Sequence, residues 1–263
     1  MASPGEIYAY LLDLDGTLYA GGGAIPGAPE ALARLRKRKV PYRLVTNTTS
    51  RSRSMLVERL RGYGFDASLS DIFTATVAGA ELAREAGYRR IAPFVAQPAL
   101  DDLDGFHLAG GTSGRSSDRV PDAVIVGDLA EQWTYALLQE AFDYLMSGAA
   151  LLALSRDRYW QRGDRLALDA GPFVAGLEFA TGKSAVVAGK PSLAFYSAAL
   201  RSLGVTPDGS AVMVGDDLWS DVQGAQRAGL QGWLVRTGKY RDDTLAESGI
   251  RPDRILESVA ALE

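Results

Sequence analysis

Two carboxylates, Asp13 and Asp15, stand two residues apart where the apolar run Ile7 to Leu12 meets the turn Gly16-Thr17. Side chains at i and i+2 of a strand point to one side, so both can reach a single reacting centre as the strand ends. Gly16 lets the chain turn sharply, and Thr17 adds a hydroxyl and a backbone donor. That is the geometry of a phosphoryl-transfer nucleophile. Asp and Gly are also ordinary turn residues, so this segment alone fits a plain turn equally well.

Three further segments follow in order. Leu44-Val45-Thr46-Asn47-Thr48 is again an apolar run ending in small polar groups. The Thr46 hydroxyl and the backbone donors after it can hold the non-reacting oxygens of a phosphoryl group. Gly189-Lys190-Pro191-Ser192 puts a lysine just ahead of a helix start capped by Ser192, where an ammonium can neutralise both a phosphoryl oxygen and Asp13. Val212 to Asp217, with Asp221 following, ends in carboxylates, and magnesium takes one or two of these alongside waters and a phosphate oxygen. Taken singly the three are a strand cap, a surface lysine and an acidic turn. All four segments fall at carboxyl ends of expected strands, the edge where open α/β sheets bind ligands.

The elements that must position them are legible as alternating periods. Strand-like runs at Ile7 to Leu14, Tyr42 to Thr46, Ala211 to Gly215 and Gly232 to Val235 are separated by helical patterns at Ala28 to Lys37, Ser52 to Arg61, Ser192 to Leu203 and Ser220 to Ala228. This alternation predicts an α/β fold, a doubly wound parallel sheet of Rossmann-like type. Between about Ala80 and Gly176 the rhythm changes. Short strands are expected at Ile91 to Ala96, Phe106 to Ala109, Ala123 to Val126 and Ala150 to Leu154, with a long helix from Thr134 to Ser147. We read residues 1–79 and 176–263 as the catalytic core and 80–175 as an inserted α/β cap domain. The Gly110 to Ser117 stretch is read as a flexible cap loop.

Composition excludes several classes. A formal net charge of −4 gives no field for nucleic acid or an anionic membrane, and the Arg-rich runs read as solvated helix faces. No stretch approaches the ~20 apolar residues of a membrane span, and Met1 to Tyr8 lacks the order of a signal peptide, so a cytoplasmic protein is expected. The chain has no cysteine, which removes disulfides, thiolate nucleophiles and Cys-ligated zinc. His107, the single histidine, lies in a short apolar run and is expected to be structural.

Asp13-x-Asp15-Gly16-Thr17, then Thr46-Asn47, Lys190, and Gly215-Asp216-Asp217 with Asp221, resembles the four motifs of haloacid dehalogenase superfamily phosphatases. The insertion lies where that superfamily carries its type C2 cap. Ile25-Pro26-Gly27-Ala28, Gly171-Pro172-Phe173, Leu177 to Thr181 and Thr237-Gly238-Lys239-Tyr240 are similar to the class IIA, NagD-like group. Arg158-Tyr159-Trp160 and Gly215-Asp216-Asp217 look closest to the branch of haloacid dehalogenase-like hydrolase domain-containing protein 2 and phospholysine phosphohistidine inorganic pyrophosphate phosphatase. Trp160 stands where that branch more usually has tyrosine, and the Gly110 to Ser117 stretch is longer than expected of it.

The resemblance implies a phosphoric monoester hydrolase in which Asp13 is the nucleophile, Asp15 the acid and base, and Thr46, Asn47 and Lys190 the phosphate ligands. It implies Mg2+ held by Asp13, the Asp15 carbonyl and Asp216, with Asp217 and Asp221 in support. The substrate is expected to be a small phosphate ester, with a phosphoamidase or inorganic pyrophosphatase as the alternative and a regulatory phosphate-compound-binding protein as the non-enzyme reading. Class IIA membership also implies a homodimer through the cap. Arg158, Tyr159 and Trp160 are read either as leaving-group contacts or as filling of the cap core.

Overall fold

The structure, a computed structural model, describes residues 7–115, 119–162, 164–206 and 210–262. It divides into two compact units. One comprises 1–46, 54–73 and 190–263, the other 47–53 and 74–189.

The first unit is built on a six-stranded sheet. In spatial order its strands are Arg254–Leu256, Gln231–Val235, Ala211–Gly215, Ala9–Asp13, Tyr42–Thr46 and Ile72–Thr74. Ala9–Asp13 is central and runs parallel to both neighbours, with Leu12 opposite Val214 and Leu44, and Asp13 opposite Val45. Every residue of Ala9–Asp13 and Ala211–Gly215 is buried. Parallel strands covered on both faces read as continuous apolar runs, which is why these two were plain in the sequence. The helices Ala28–Lys37 and Arg53–Gly62 supply Leu32, Leu35, Leu56 and Leu60 to a core shared with Tyr10, Leu12, Leu44 and Val212.

The second unit carries a five-stranded sheet ordered Val186–Val187, Ala150–Ala153, Ala123–Val126, Arg90–Phe94, His107–Leu108, with these neighbours paired in parallel. The helices Tyr135–Met146 and Gly171–Thr181 bring Leu145, Val174 and Leu177 against Phe94, Val124 and Leu151. A two-stranded hairpin, Tyr159–Arg162 with Arg165–Leu168, completes it.

This unit is wider than the 80–175 read from the sequence. Val186–Val187 extends its sheet beside Leu152 and Ala153. The helix Ala75–Glu85 packs closely enough that a methyl on Gly79 would lie 2.4 Å from Leu154. Residues 47–53 join it because Thr49 Oγ1 accepts from the Asp128 N–H at 2.8 Å and Asp102 takes the Arg53 N–H and Nε at 2.9 and 2.7 Å.

Three local expectations change. Residues 110–115 are pinned rather than loose, since Thr112 Oγ1 donates to the Pro93 and Val95 carbonyls and Glu140 accepts from Gly111 N–H. Ser116 and Ser117, the end of that stretch, lie outside the described residues. His107, expected from its short apolar run to be structural, is instead exposed on an edge strand. The segment expected as a helix from Ser220 begins as a π-helical turn, Leu218–Gln223, and becomes α-helical only at Gly224–Arg227. No helix among the described residues is long and apolar enough to cross a membrane.

Candidate active site

Asp13 ends the central strand, so its side chain leaves the sheet at the carboxyl edge between the ends of Tyr42–Thr46 and Ala211–Gly215. The chain then turns through Gly16, at φ +82°, a left-handed conformation that glycine adopts without strain. The strand stops at Asp13, so Asp15 lies past the reach of the alternation that predicted a shared side. Its carboxylate is exposed and accepts from Tyr19 Oη at 3.2 Å.

Lys190 comes from just before the helix Leu193–Arg201, whose start is capped by Ser192 accepting from Phe195 N–H. Its buried ammonium donates to Asp13 Oδ1 at 2.5 Å and to Asp221 Oδ1 at 2.6 Å. Asp221 can reach inward because it sits in the π-helical turn, and because a methyl on Gly215 would lie 2.1 Å from its Oδ2. The Tyr196 hydroxyl, also buried, donates to the Ser220 carbonyl of that turn. The other Asp221 oxygen accepts from the Asp217 N–H at 3.1 Å, so both are engaged.

Asp216 and Asp217 follow the strand Ala211–Gly215 directly. Asp217 caps the turn, accepting from the Trp219 and Ser220 N–H groups, and pairs with Lys239 Nζ at 2.8 Å. Burial would raise its carboxyl, but Lys239 and these backbone donors outweigh it and hold it at about 2. Asp216 is buried and its Oδ2 accepts from the Lys239 N–H at 2.8 Å. Lys239 has no counterpart among the residues assigned from sequence. A backbone donor leaves no mark in residue types, and only the Thr237-Gly238-Lys239-Tyr240 resemblance pointed near it.

The cluster is short of positive charge. One carboxylate oxygen from each of Asp13, Asp216 and Asp221 lies within 4.8 Å of the others, all buried, against a single buried ammonium. Burial, with Asp216 and Asp15 nearby, pushes Asp13 up to about 6 in spite of Lys190. Burial and then Asp221 push Asp216 to about 7, and burial with Asp13 and Asp217 raises Asp221 to about 7. Burial alone would lower the Lys190 ammonium, yet Asp13 and Asp221 hold it well above its usual value. Among the described residues, the side-chain hydrogen bonds of Asp13 and Asp216 engage one oxygen of each, Asp13 Oδ1 with Lys190 and Asp216 Oδ2 with the Lys239 N–H. Two hard oxygens from two carboxylates, in a pocket with surplus negative charge, fit a magnesium ion.

Two family models match the chain. That of the haloacid dehalogenase-like hydrolases spans residues 10–109, and a second of the same hydrolase-like kind spans 187–262. Between them they contain Asp13, Asp15, Thr46, Lys190, Asp216 and Asp221. Haloacid dehalogenase-like hydrolase domain-containing protein 2 of Bos taurus is 44% identical over 241 residues, covering 92% of this chain and 88% of its own. The chain belongs to the haloacid dehalogenase-like hydrolases. Phospholysine phosphohistidine inorganic pyrophosphate phosphatase of Homo sapiens is 36% identical, covering 95% of this chain and 90% of that one. NagD from E. coli K-12 superposes with a TM-score of 0.86 at 28% identity, over 98% and 99% of the two chains. Within the haloacid dehalogenase-like hydrolases the chain is therefore a class IIA, NagD-like phosphatase.

The remaining residues singled out in this hydrolase fall in both units. Thr46 is buried at its strand end in the first. Asn47 belongs to the second, where its Nδ2 donates to Asp157 Oδ2 at 3.3 Å. Tyr159 and Trp160 are 53% and 38% exposed on the hairpin, so they do not fill the core of the second unit.

Proposed function

We propose that the protein is a magnesium-dependent phosphatase of a small phosphorylated compound, working through an aspartyl-phosphate on Asp13. The observation that carries this reading is the placement of Asp13, buried at the end of the central strand and 2.5 Å from the Lys190 ammonium, beside two more buried carboxylates, Asp216 and Asp221.

In this reading an Asp13 oxygen attacks phosphorus and the bond to the leaving oxygen breaks, while Asp15 gives that oxygen its proton. Water then attacks the same phosphorus with Asp15 taking its proton, which releases inorganic phosphate and restores Asp13. Thr46, Asn47 and Lys190 hold the equatorial oxygens, where charge spreads in the transition state. Asp221 and Asp217 keep Lys190 and the start of the π-helical turn in place. Asp13, the Asp15 carbonyl and Asp216 would hold the metal, which when bound offsets the repulsion between an anionic nucleophile and an anionic substrate.

The unit that holds Asp13, Lys190 and Asp216, within the 1–79 and 176–263 read from the sequence as the core, carries the chemistry in this proposal. The insertion acts as the cap that selects substrate and through which two copies pair. A second reading, cleavage of P–N bonds or pyrophosphate, is favoured by the relative named a phospholysine phosphohistidine inorganic pyrophosphate phosphatase. One screen tests both. Phosphate release is measured with magnesium from p-nitrophenyl phosphate, sugar phosphates, pyridoxal phosphate, phosphoglycolate, phosphoramidates and pyrophosphate, with Asp13→Asn as control. Turnover by Asp13→Asn equal to the parent's, or full activity after chelation, would remove the mechanism.

A further inference from the structure

The short segment Thr237-Gly238-Lys239 touches both loops that bear the acidic cluster. Thr237 Oγ1 donates to the Gly16 carbonyl at 2.5 Å, in the turn that follows Asp13. Two residues on, the Lys239 N–H takes Asp216 Oδ2 at 2.8 Å, and Lys239 Nζ takes Asp217 at 2.8 Å. Between them Gly238 packs its bare Cα onto both loops at once. A methyl there would lie 2.0 Å from Asp216 Oδ2 and 2.6 Å from Gly16 Cα. The approach is reciprocal, since a methyl on Gly16 would also lie 2.0 Å from Asp216 Oδ2. Gly238 has φ +62° and Gly16 φ +82°, so both packing and backbone conformation require glycine.

We propose that Thr237, Gly238 and Lys239 form a clasp that fixes the turn after Asp13 against Asp216, so that a divalent cation meets both carboxylates at their binding separation. The clasp rests on the metal site of the proposed function and adds its positioning residues. Asp216 Oδ2 is committed to a backbone donor, which leaves its other oxygen to the cation. The hydroxyl of Thr237 ties the nucleophile's turn to the same three residues. A metal that bridges two loops loses affinity when either drifts, and the groups that orient ligands typically matter about 10–100-fold in affinity. None of the three touches substrate in this account. Their effect reaches the chemistry only through Asp13 and Asp216.

Manganese binding to the purified full chain, followed by calorimetry without substrate, separates this from general support of the fold. Thr237→Val keeps the shape and deletes the donor, and its manganese Kd should rise about tenfold. Thr237→Ser restores the hydroxyl and should bind as the parent does. Melting temperatures of the two metal-free variants should match, because the hydroxyl acts on the site and not on the core. Gly238→Ala should bind more weakly still, and if it does not fold the Thr237 pair decides alone. Asp216→Asn is the control for the site itself and should lose binding. If Thr237→Val binds manganese like the parent, or loses melting temperature with no change in Kd, the clasp is wrong while the metal site stands. If Asp216→Asn binds like the parent, the metal site and the clasp fall together.

Discussion

Lys190 is the residue on which the acidic cluster depends, because among the described residues it alone places a buried ammonium against two buried carboxylates. Lys190→Ala leaves Asp13 and Asp221 uncompensated, and breaking a buried pair from one side costs about 3–5 kcal/mol. The variant should therefore melt well below the parent. It should also lose about 10²–10³-fold in kcat, as when a single transition-state donor is removed. Steady-state kinetics reads the split, and a change confined to KM would remove Lys190 from the chemical step. Asp13→Asn should behave in the opposite sense for stability. Burial and its acidic neighbours hold Asp13 at about 6, so the folded state already disfavours its charge. The nearly isosteric amide should melt no lower than the parent at neutral pH while turnover is lost. A thermal-shift scan beside a phosphate-release assay checks both halves. That Asp13, Lys190 and Asp216 come together was legible because Asp13 and Asp216 each follow an apolar run and Lys190 precedes the helix capped by Ser192. Lys239 was not legible, because its contribution to Asp216 is a main-chain N–H.

At the scale of elements, the π-helical turn Leu218–Gln223 brings Asp221 in beside Asp13 and Asp216. Concentrating carboxylates in this way has a consequence for pH. A carboxyl whose folded pKa exceeds its unfolded value keeps its proton longer when folded, so folding is favoured at low pH and loses that advantage as pH climbs. Asp13 at about 6 and Asp216 and Asp221 at about 7, against 3.8, place this loss between about pH 4 and pH 7. The metal-free protein, kept in chelator, should show a melting temperature that falls across that window. Added magnesium should restore it most at the neutral end, where the ligands are ionised. A flat profile in chelator would show that the cluster does not carry the excess charge inferred for it. Element types were legible wherever burial was lopsided or complete, as in Ala211–Gly215, Tyr42–Thr46 and the capped helix after Ser192. The helix Ala75–Glu85 escaped because its buried face is Ala75, Thr76, Ala78, Gly79, Ala80 and Ala83, which is too small to register as an apolar stripe. A π-turn differs from an α-turn by one residue in its hydrogen-bond spacing, a distinction that apolar periodicity does not resolve.

At the scale of the molecule, each unit has its own parallel sheet and its own apolar core, and the carboxylate cluster belongs entirely to the first. The chemistry inferred for that unit is common to any phosphate ester, so discrimination among substrates must draw on other residues. The hairpin of the second unit exposes Tyr159, Trp160, Leu166 and Leu168 by 53%, 38%, 61% and 58%. Arg158 lies 5.9 Å from the Tyr159 ring, adding a cation to the same strand end. By the register of the hairpin Tyr159, Leu166 and Leu168 share one face and Trp160 stands on the other, so Trp160 is the aromatic that can be changed without touching that apolar face. Trp160→Ala should alter the ratio of kcat/KM for p-nitrophenyl phosphate over pyrophosphate by about tenfold, the scale of one lost apolar contact. Because Trp160 is 38% exposed, its melting temperature should move little, as for surface substitutions generally. An unchanged ratio with a lower melting temperature would return Trp160 to a packing role and leave selectivity to other residues of that unit.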